Sequence, residues 1–423
     1  MKNYIQLKSD LKAGNIEEAF SDLYNEEGDK NLVLPVLLTS NFLGNKAAFT
    51  QLILTWVRRN NTGRLFIYEP DSGRLEDYIQ RMAQQELHSY TALVMSFDKG
   101  IIGYTSKSDL TTQVQKICSE VIDKKIQPIN SMPQIVGSEY FEVHFDHRSQ
   151  ATWAHSDLYT YSEKDGFVVA SKEKIKSYST LLLQKSKIKS VPEMEKNSVL
   201  LSDLIYELFG NTLRWATTDF LGREIFRPNM RGIYFRFFTL SKETIDKSAE
   251  GIASFKNYIN RVYETPLPQK QTSLFEWEDV VPEPSKEYRF FLELSVLDSG
   301  PGLASRIRGE DFFQMNNIHE EFTAVQDCFK KHLTSARGPE KGRRGLGLFN
   351  VLSGLGKNSF LKLRTGHLSL YRDFIKDPFD SENPDLTLYD LQNEDSVTEK
   401  ESITKKPWAE GTLFTIVIPL DLN

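Results

Sequence analysis

Cysteine is almost absent. The 423 residues carry only Cys118 and Cys328, too few for a disulfide framework or a metal quartet, so a reducing cytoplasm is the expected setting. Long apolar runs are missing too. The leading residues MKNYIQLKSDLKAGNIEEAF hold no apolar core of the kind a signal peptide needs. The densest early stretch, residues 33–38, is interrupted by Pro35 and falls far short of the ~20 residues that span a bilayer. There is no repeat and no low-complexity tract. Nor is there an excess of basic charge. Lys plus Arg is 52 against 58 Asp plus Glu, a net charge of −6, which does not advertise nucleic acid or an anionic membrane as a partner. What is present, 39% hydrophobic, 26% charged and 12% aromatic residues, is the balance of a soluble globular chain. At ~100–200 residues per domain, the length predicts two or three domains.

The first 130 residues alternate strand-like and helical patterns. LVLPVLLTS (32–40) reads as a buried strand, KAAFTQLILTWVRRN (46–60) as a helix and RLFIYEP (64–70) as a strand. LEDYIQRMAQQ (75–85) then reads as a helix and YTALVMSF (90–97) as a strand. Such alternation predicts an α/β layer with parallel strands. Residues 134–171 are shorter in pattern and more β-like. The polar, charged stretch KSKIKSVPEMEKN carries a proline. It places a boundary near 185–196, between an N-terminal α/β domain (1–190) and a second domain (191–423). In the second domain, helical residues 197–217 precede a strand at 231–240, a helix at 241–263 and a polar connection at 265–287. Strands follow at 289–298, at FLKLRTG and at GTLFTIVIPL.

Three segments of the second domain carry chemistry. In LSDLIYELFGNTLRWA, Glu207 and Asn211 lie four residues apart and share a helix face, while Leu201, Leu204 and Leu208 form another stripe. An amide oxygen is a hard ligand suited to Mg²⁺, and a nearby carboxylate can orient a water; an ordinary polar helix face is the alternative. In SVLDSGPGL, an apolar strand ends in Asp298, followed by Gly300 and Gly302. These glycines allow a close approach to a ligand, and the carboxylate can accept from an exocyclic amine; a plain Pro-Gly turn is the alternative. In EKGRRGLGLFNVLSGLG, a glycine-rich loop feeds a helix N-terminus, a ready anion site to which Arg343 and Arg344 add charge. A loop with solvated arginines is the alternative.

The order of these segments resembles the GHKL superfamily of ATPases, which includes DNA gyrase, ninety-kilodalton heat-shock chaperones, histidine kinases and mismatch-repair ATPases. The resemblance rests on E-L-F-G-N at Glu207–Asn211, D-S-G-P-G at Asp298–Gly302, G-L-G-L at Gly345–Leu348 and G-T at Gly411–Thr412, and covers about residues 197–420. It implies a Bergerat-type α/β sandwich, with helices on one face of a mixed, mostly antiparallel sheet and ATP held under a mobile lid. It further implies that Asn211 holds Mg²⁺ on the phosphates and that Asp298 reads the adenine amine with Thr412 in support. Gly300 and Gly302 would pass close to the base. Gly345, Leu346, Gly347 and Leu348 would offer backbone N–H groups to the phosphates, with Arg343 and Arg344 beside them. Glu207 matches the position that activates water in hydrolysing members, and Arg214 resembles the basic residue of the kinase N-A-x-K pattern. Two departures stand out. Arg343 sits where kinases usually carry a further glycine, and the gap from Asn211 to Asp298 is long, so that residues 241–287 read as a helical insertion.

None of the histidines sits where a sensor kinase carries its phosphoacceptor: the window 160–200 holds none, and His319 falls inside the lid. His144, His147 and His155 match no zinc spacing. LLTSNFLGNKAAFT lacks the first glycine and the Lys-Ser/Thr order of a phosphate loop. The expectation is a cytosolic, ATP-operated and ATP-hydrolysing switch that meets a protein partner or a second copy through its lid or N-terminal domain. A kinase acting on a separate protein and a nucleotide sensor without turnover stay open. The negative charge belongs mostly to residues 373–401, where ten acidic residues face only Lys376 and Lys400. That segment reads as a long loop, and the remaining body is close to neutral.

Overall fold

The computed structural model describes residues 4–125 except 26, 37, 40–42, 70–73 and 86. It further describes 139–145, 157–163, 166–185, 194–219, 221, 223, 229–249, 251–266, 288–315, 317–330, 347–380, 387–392 and 403–422.

The first part runs β1 (Tyr4–Gln6), α1 (Ala13–Tyr24), β2 (Asn31–Leu34), α2 (Asn45–Arg59), β3 (Leu65–Ile67), α3 (Leu75–Gln85), α4 (Leu87–Met95), β4 (Ile101–Gly103) and α5 (Thr111–Lys125). Its four strands pair in parallel in the order β1-β2-β3-β4. The parallel layer expected from the sequence is therefore present, with one exchange. Residues 90–97, expected as a strand, lie mostly in α4, and the fourth strand is the short IIG that follows. A short apolar run fits a buried helix as well as a buried strand, and α4 packs against α2 and α3. Strand β2 ends at Leu34, before Pro35, whose missing N–H cannot continue a ladder.

The second part runs β5 (Glu139–Phe145), β6 (Tyr159–Ser162), β7 (Gly166–Val169), α6 (Lys172–Lys185), α7 (Met194–Trp215), β8 (Met230–Ser241), α8 (Ile245–Ala249), α9 (Ala253–Glu264), β9 (Tyr288–Asp298), α10 (Leu303–Arg308), α11 (Ile318–Asp327), α12 (Gly347–Leu355), β10 (Phe360–Gly366), β11 (Leu368–Asp373), β12 (Tyr389–Asp390) and β13 (Ala409–Pro419). A seven-stranded antiparallel sheet has the order β12-β11-β10-β13-β9-β8-β5. With its helices it makes an α/β sandwich.

Sheet alternation sorts the side chains. Phe290, Leu292, Leu294 and Val296 of β9 share one core with Leu201, Leu204 and Leu208 of α7. On the opposite face, Leu297 and Leu413 join the core of the first part, and Phe291 and Val417 join Phe255, Tyr258 and Val262 of α9. Burial on both faces explains why β9 and β13 read as nearly unbroken apolar runs.

The boundary expected at 190/191 does not separate the two cores. Strand β5 pairs with β8, and Leu158, Tyr159, Ile175 and Leu182 lie in the same core as α7. The sandwich thus takes its first strand from residue 139, because an edge strand finds its partner through non-local pairing that no local pattern announces. The first part keeps its own parallel sheet, but α2 lies against β13 and β9. That helix is buried nearly all round, including Asn45, Thr50, Gln51 and Thr55. Residues 241–263 are broken at Gly251, whose φ of +82° ends α8, and α9 covers part of the sheet face that α2 leaves. Residues 267–287 of the expected insertion lie outside the described residues. The acidic segment is anchored where it is described: buried Asp373 pairs with Arg261, and β12 adds an edge strand to β11.

Candidate functional site

Helix α7 supplies one wall. Its Leu201–Leu204–Leu208 stripe packs on the sheet, and this aims Glu207 and Asn211 at α12, which crosses it. Glu207 is buried and Asn211 partly exposed. A Cβ on Gly347, the first residue of α12, would lie 3.1 Å from Glu207 Oε2 and 3.2 Å from Asn211 Nδ2. The start of the glycine-box helix therefore rests directly on the acid–amide pair, although the two segments lie far apart in sequence. Asn350 adds a contact that the sequence reading missed: its Nδ2 donates to Glu207 Oε1 at 3.1 Å. Arg214 is exposed at the end of the same helix.

Strand β9 supplies the other wall. Asp298 pairs in register with Thr412 of β13 on one side and Arg231 of β8 on the other. Its Oδ1 accepts from Gly300 N at 2.8 Å. Desolvation raises the Asp298 carboxyl from its ordinary value to about 6, against the opposing pull of hydrogen bonds from the Gly300 and Thr412 N–H groups and of the Arg231 and Arg58 charges. The residue is nonetheless partly exposed. A Cβ on Gly300 would lie 2.9 Å from Ala216 Cα, which seats the turn against the end of α7. Gly302 has φ +83°, and a Cβ there would lie 3.1 Å from Thr365 Oγ1. That hydroxyl accepts from Leu303 N at 3.2 Å and lies 3.5 Å from Thr412 Oγ1. Gly411 has φ +72°, and a Cβ there would lie 1.8 Å from Asp298 O. No side chain fits so close to a backbone carbonyl.

Helix α7 and the residue that follows it thus meet both glycine segments, Gly347 at Glu207 and Gly300 at Ala216. Nine residues of helix separate these points, roughly 13 Å. The structure brings together Glu207, Asn211 and Gly347, with Leu348 next in α12, and separately Asp298, Gly300, Gly302 and Thr412. Arg343, Arg344, Gly345 and Leu346 lie outside the described residues. The segment after Gly302 is not a detached lid throughout, because Phe322, Ala324, Val325 and Phe329 belong to the core. Besides Asn350, Thr365 escaped the sequence reading; a threonine inside a strand carries no local signal of a site.

Among the described residues, no group of three or more His, Cys, Asp or Glu could hold a metal ion. An Asn211 amide oxygen is a donor that such a group does not include. His144 is buried, its Nε2 2.7 Å from Glu142 Oε1, with its ring edge-on to Tyr159 and Phe209. His319 lies on α11. His367 Nδ1 is 2.8 Å from Glu321 Oε2. His147, His155 and His332 lie outside the described residues. Among the described residues, no helix is long and apolar enough to cross a membrane.

Compared with family models, with curated proteins and with solved structures, the chain matches none.

Proposed function

We propose that the chain is an ATP-binding, ATP-hydrolysing protein of the GHKL type, acting as a nucleotide-driven conformational switch. The observation that supports this most is the convergence of the sequence boxes along α7. Its acid–amide pair meets Gly347 at one end, and its other end meets the turn after Asp298. Segments far apart in sequence have no reason to meet the two ends of one helix if each is only a turn or a polar helix face.

The side chains fit such a ligand. Asp298 offers a carboxylate acceptor to an adenine amine, and the Gly300 and Gly302 turn keeps side chains away from the base. Gly347 leaves α12 free to approach the α7 pair, so that its N-terminal N–H groups and dipole favour phosphate oxygens. Asn211 would hold Mg²⁺ through its amide oxygen, and the ion would neutralise charge on the phosphates. Glu207, fixed by Asn350, would take the proton of an attacking water as the terminal P–O bond breaks to give ADP and phosphate.

The test is titration of the full chain with Mg²⁺ and a ribose-labelled fluorescent ATP, alongside phosphate release. Asp298→Ala should lose binding. Glu207→Ala should bind but release no phosphate. Equal binding by wild type and Asp298→Ala would sink the assignment of the cleft.

A further inference from the structure

Residues 408–412 border Asp298 at the adenine end of the proposed site, and α2 holds Glu410 among them. Arg58 Nη1 lies 3.0 Å from Glu410 Oε2. Glu410 N donates to Thr55 Oγ1 at 3.0 Å, and Gln51 Nε2 donates to Glu410 O at 3.1 Å. Trp408 Nε1 donates to the other Glu410 oxygen at 3.0 Å, and Tyr24 of α1 donates to Trp408 O at 3.0 Å. The next two residues are Gly411, wedged against the Asp298 carbonyl, and Thr412, whose N–H bonds the Asp298 carboxylate. The Arg58 side chain is 8% exposed, and both it and Arg231 act electrostatically on Asp298.

We propose that Arg58 is a positioning residue for the nucleotide cleft: through Glu410 it fixes Gly411–Thr412 against Asp298, and so couples the N-terminal parallel-sheet domain to nucleotide affinity. This rests on the ATP reading above and adds regulation to the same site. Among the described residues, the charges of Arg231 on β8 and Arg58 on α2 act on Asp298, and Glu410 on β13 pairs with Arg58. A bare structural anchor would change stability alone. A positioning residue also changes how Asp298 ionises and how α2 responds to nucleotide, because coupling between two sites is reciprocal.

The experiment uses the full chain, Mg²⁺ and ribose-labelled fluorescent ATP. Wild type should lose affinity as pH falls through about 6. Arg58→Gln should bind about tenfold more weakly at pH 7, within the usual range of coupling between sites. Its affinity midpoint should move upward, because a cation that favours the carboxylate is gone. Arg58→Lys should restore most of the midpoint. Hydrogen exchange on the wild type gives a reading independent of whether the variants fold: amides of α2 should slow when ATP is added. A folded Arg58→Gln with the wild-type midpoint overturns the proposal, as do α2 amides that exchange at the same rate with and without ATP. Failure of the wild type to bind ATP overturns the nucleotide reading itself, and this proposal with it.

Discussion

Glu293, buried in the middle of β9, accepts a hydrogen bond from Gly44 N at 2.8 Å, at the start of α2. A carboxylate of the antiparallel sheet thus caps a helix of the parallel domain, where free N–H groups and the helix dipole favour negative charge. Lys362 of β10 reaches the same turn, its Nζ donating to Leu43 O at 3.3 Å. Gly44 itself has φ +71°, and a Cβ there would lie 2.2 Å from Thr415 Oγ1. Gly44→Ala should therefore destabilise the chain by about 1–3 kcal/mol, from both backbone strain and overpacking. Thermal unfolding measures it; an unchanged midpoint would mean that α2 does not dock as described.

Burial raises the Glu293 carboxyl above its ordinary value. A raised carboxyl favours folding in its protonated form. That contribution is fully present below the unfolded-chain pKa and is lost as pH rises through the folded one. Glu293→Gln carries no such dependence. The stability difference between variant and wild type should move in favour of the variant as pH increases from 4 toward neutrality. Chemical denaturation at several pH values tests this; a constant difference would contradict it.

Asp298 gives the sharper pH prediction, since its carboxyl sits at about 6. In the proposed ATP site its ionised form would accept from the adenine amine, so nucleotide affinity should fall as pH drops through that value. Asp298→Asn removes this step and also removes the cost of ionising a desolvated acid. The same variant should gain stability relative to wild type as pH rises from about 4 to about 6, and the difference should level off above that. Binding and denaturation curves across pH 4–8 report the two effects separately.

Asn350 makes its one described side-chain bond to Glu207. Loss of that bond should leave nucleotide affinity near wild type and slow phosphate release about tenfold, a barrier change of ~1.4 kcal/mol. Asn350→Ala tests this by steady-state kinetics. A change in affinity with turnover intact would show that Asn350 serves binding and not the orientation of Glu207.

Two glycines of α12 make a matched pair. A Cβ at Gly347 meets Glu207 and Asn211 within 3.1–3.3 Å, whereas one at Gly354 meets only Leu200 Cδ1 at 3.7 Å. Gly347→Ala should weaken nucleotide binding. Gly354→Ala should leave it intact and stabilise the helix by about 0.5–1 kcal/mol. Equal binding by both variants would remove Gly347 from the site.

Local chemistry by itself determined much of this chain. Apolar periodicity marked α2, α3, α7, β8, β9, β10 and β13, because helix and strand repeat on different periods. Glu207, Asn211 and Asp298 were singled out by residue type and spacing, and Thr412 by the resemblance of the box order. Three features depended on the tertiary structure. Strand β5 joins the second sheet across nearly ninety residues, and an edge strand carries no label for its partner. Residues 90–97 turned out helical, because a short apolar run is decided by what it packs against. Arg58 and Asn350 look like ordinary surface residues of their helices; only the docking of α2 under β13, and of α12 across α7, brings one to Glu410 and the other to Glu207. Local pattern records which way a side chain faces, and only the packed fold decides what it meets there.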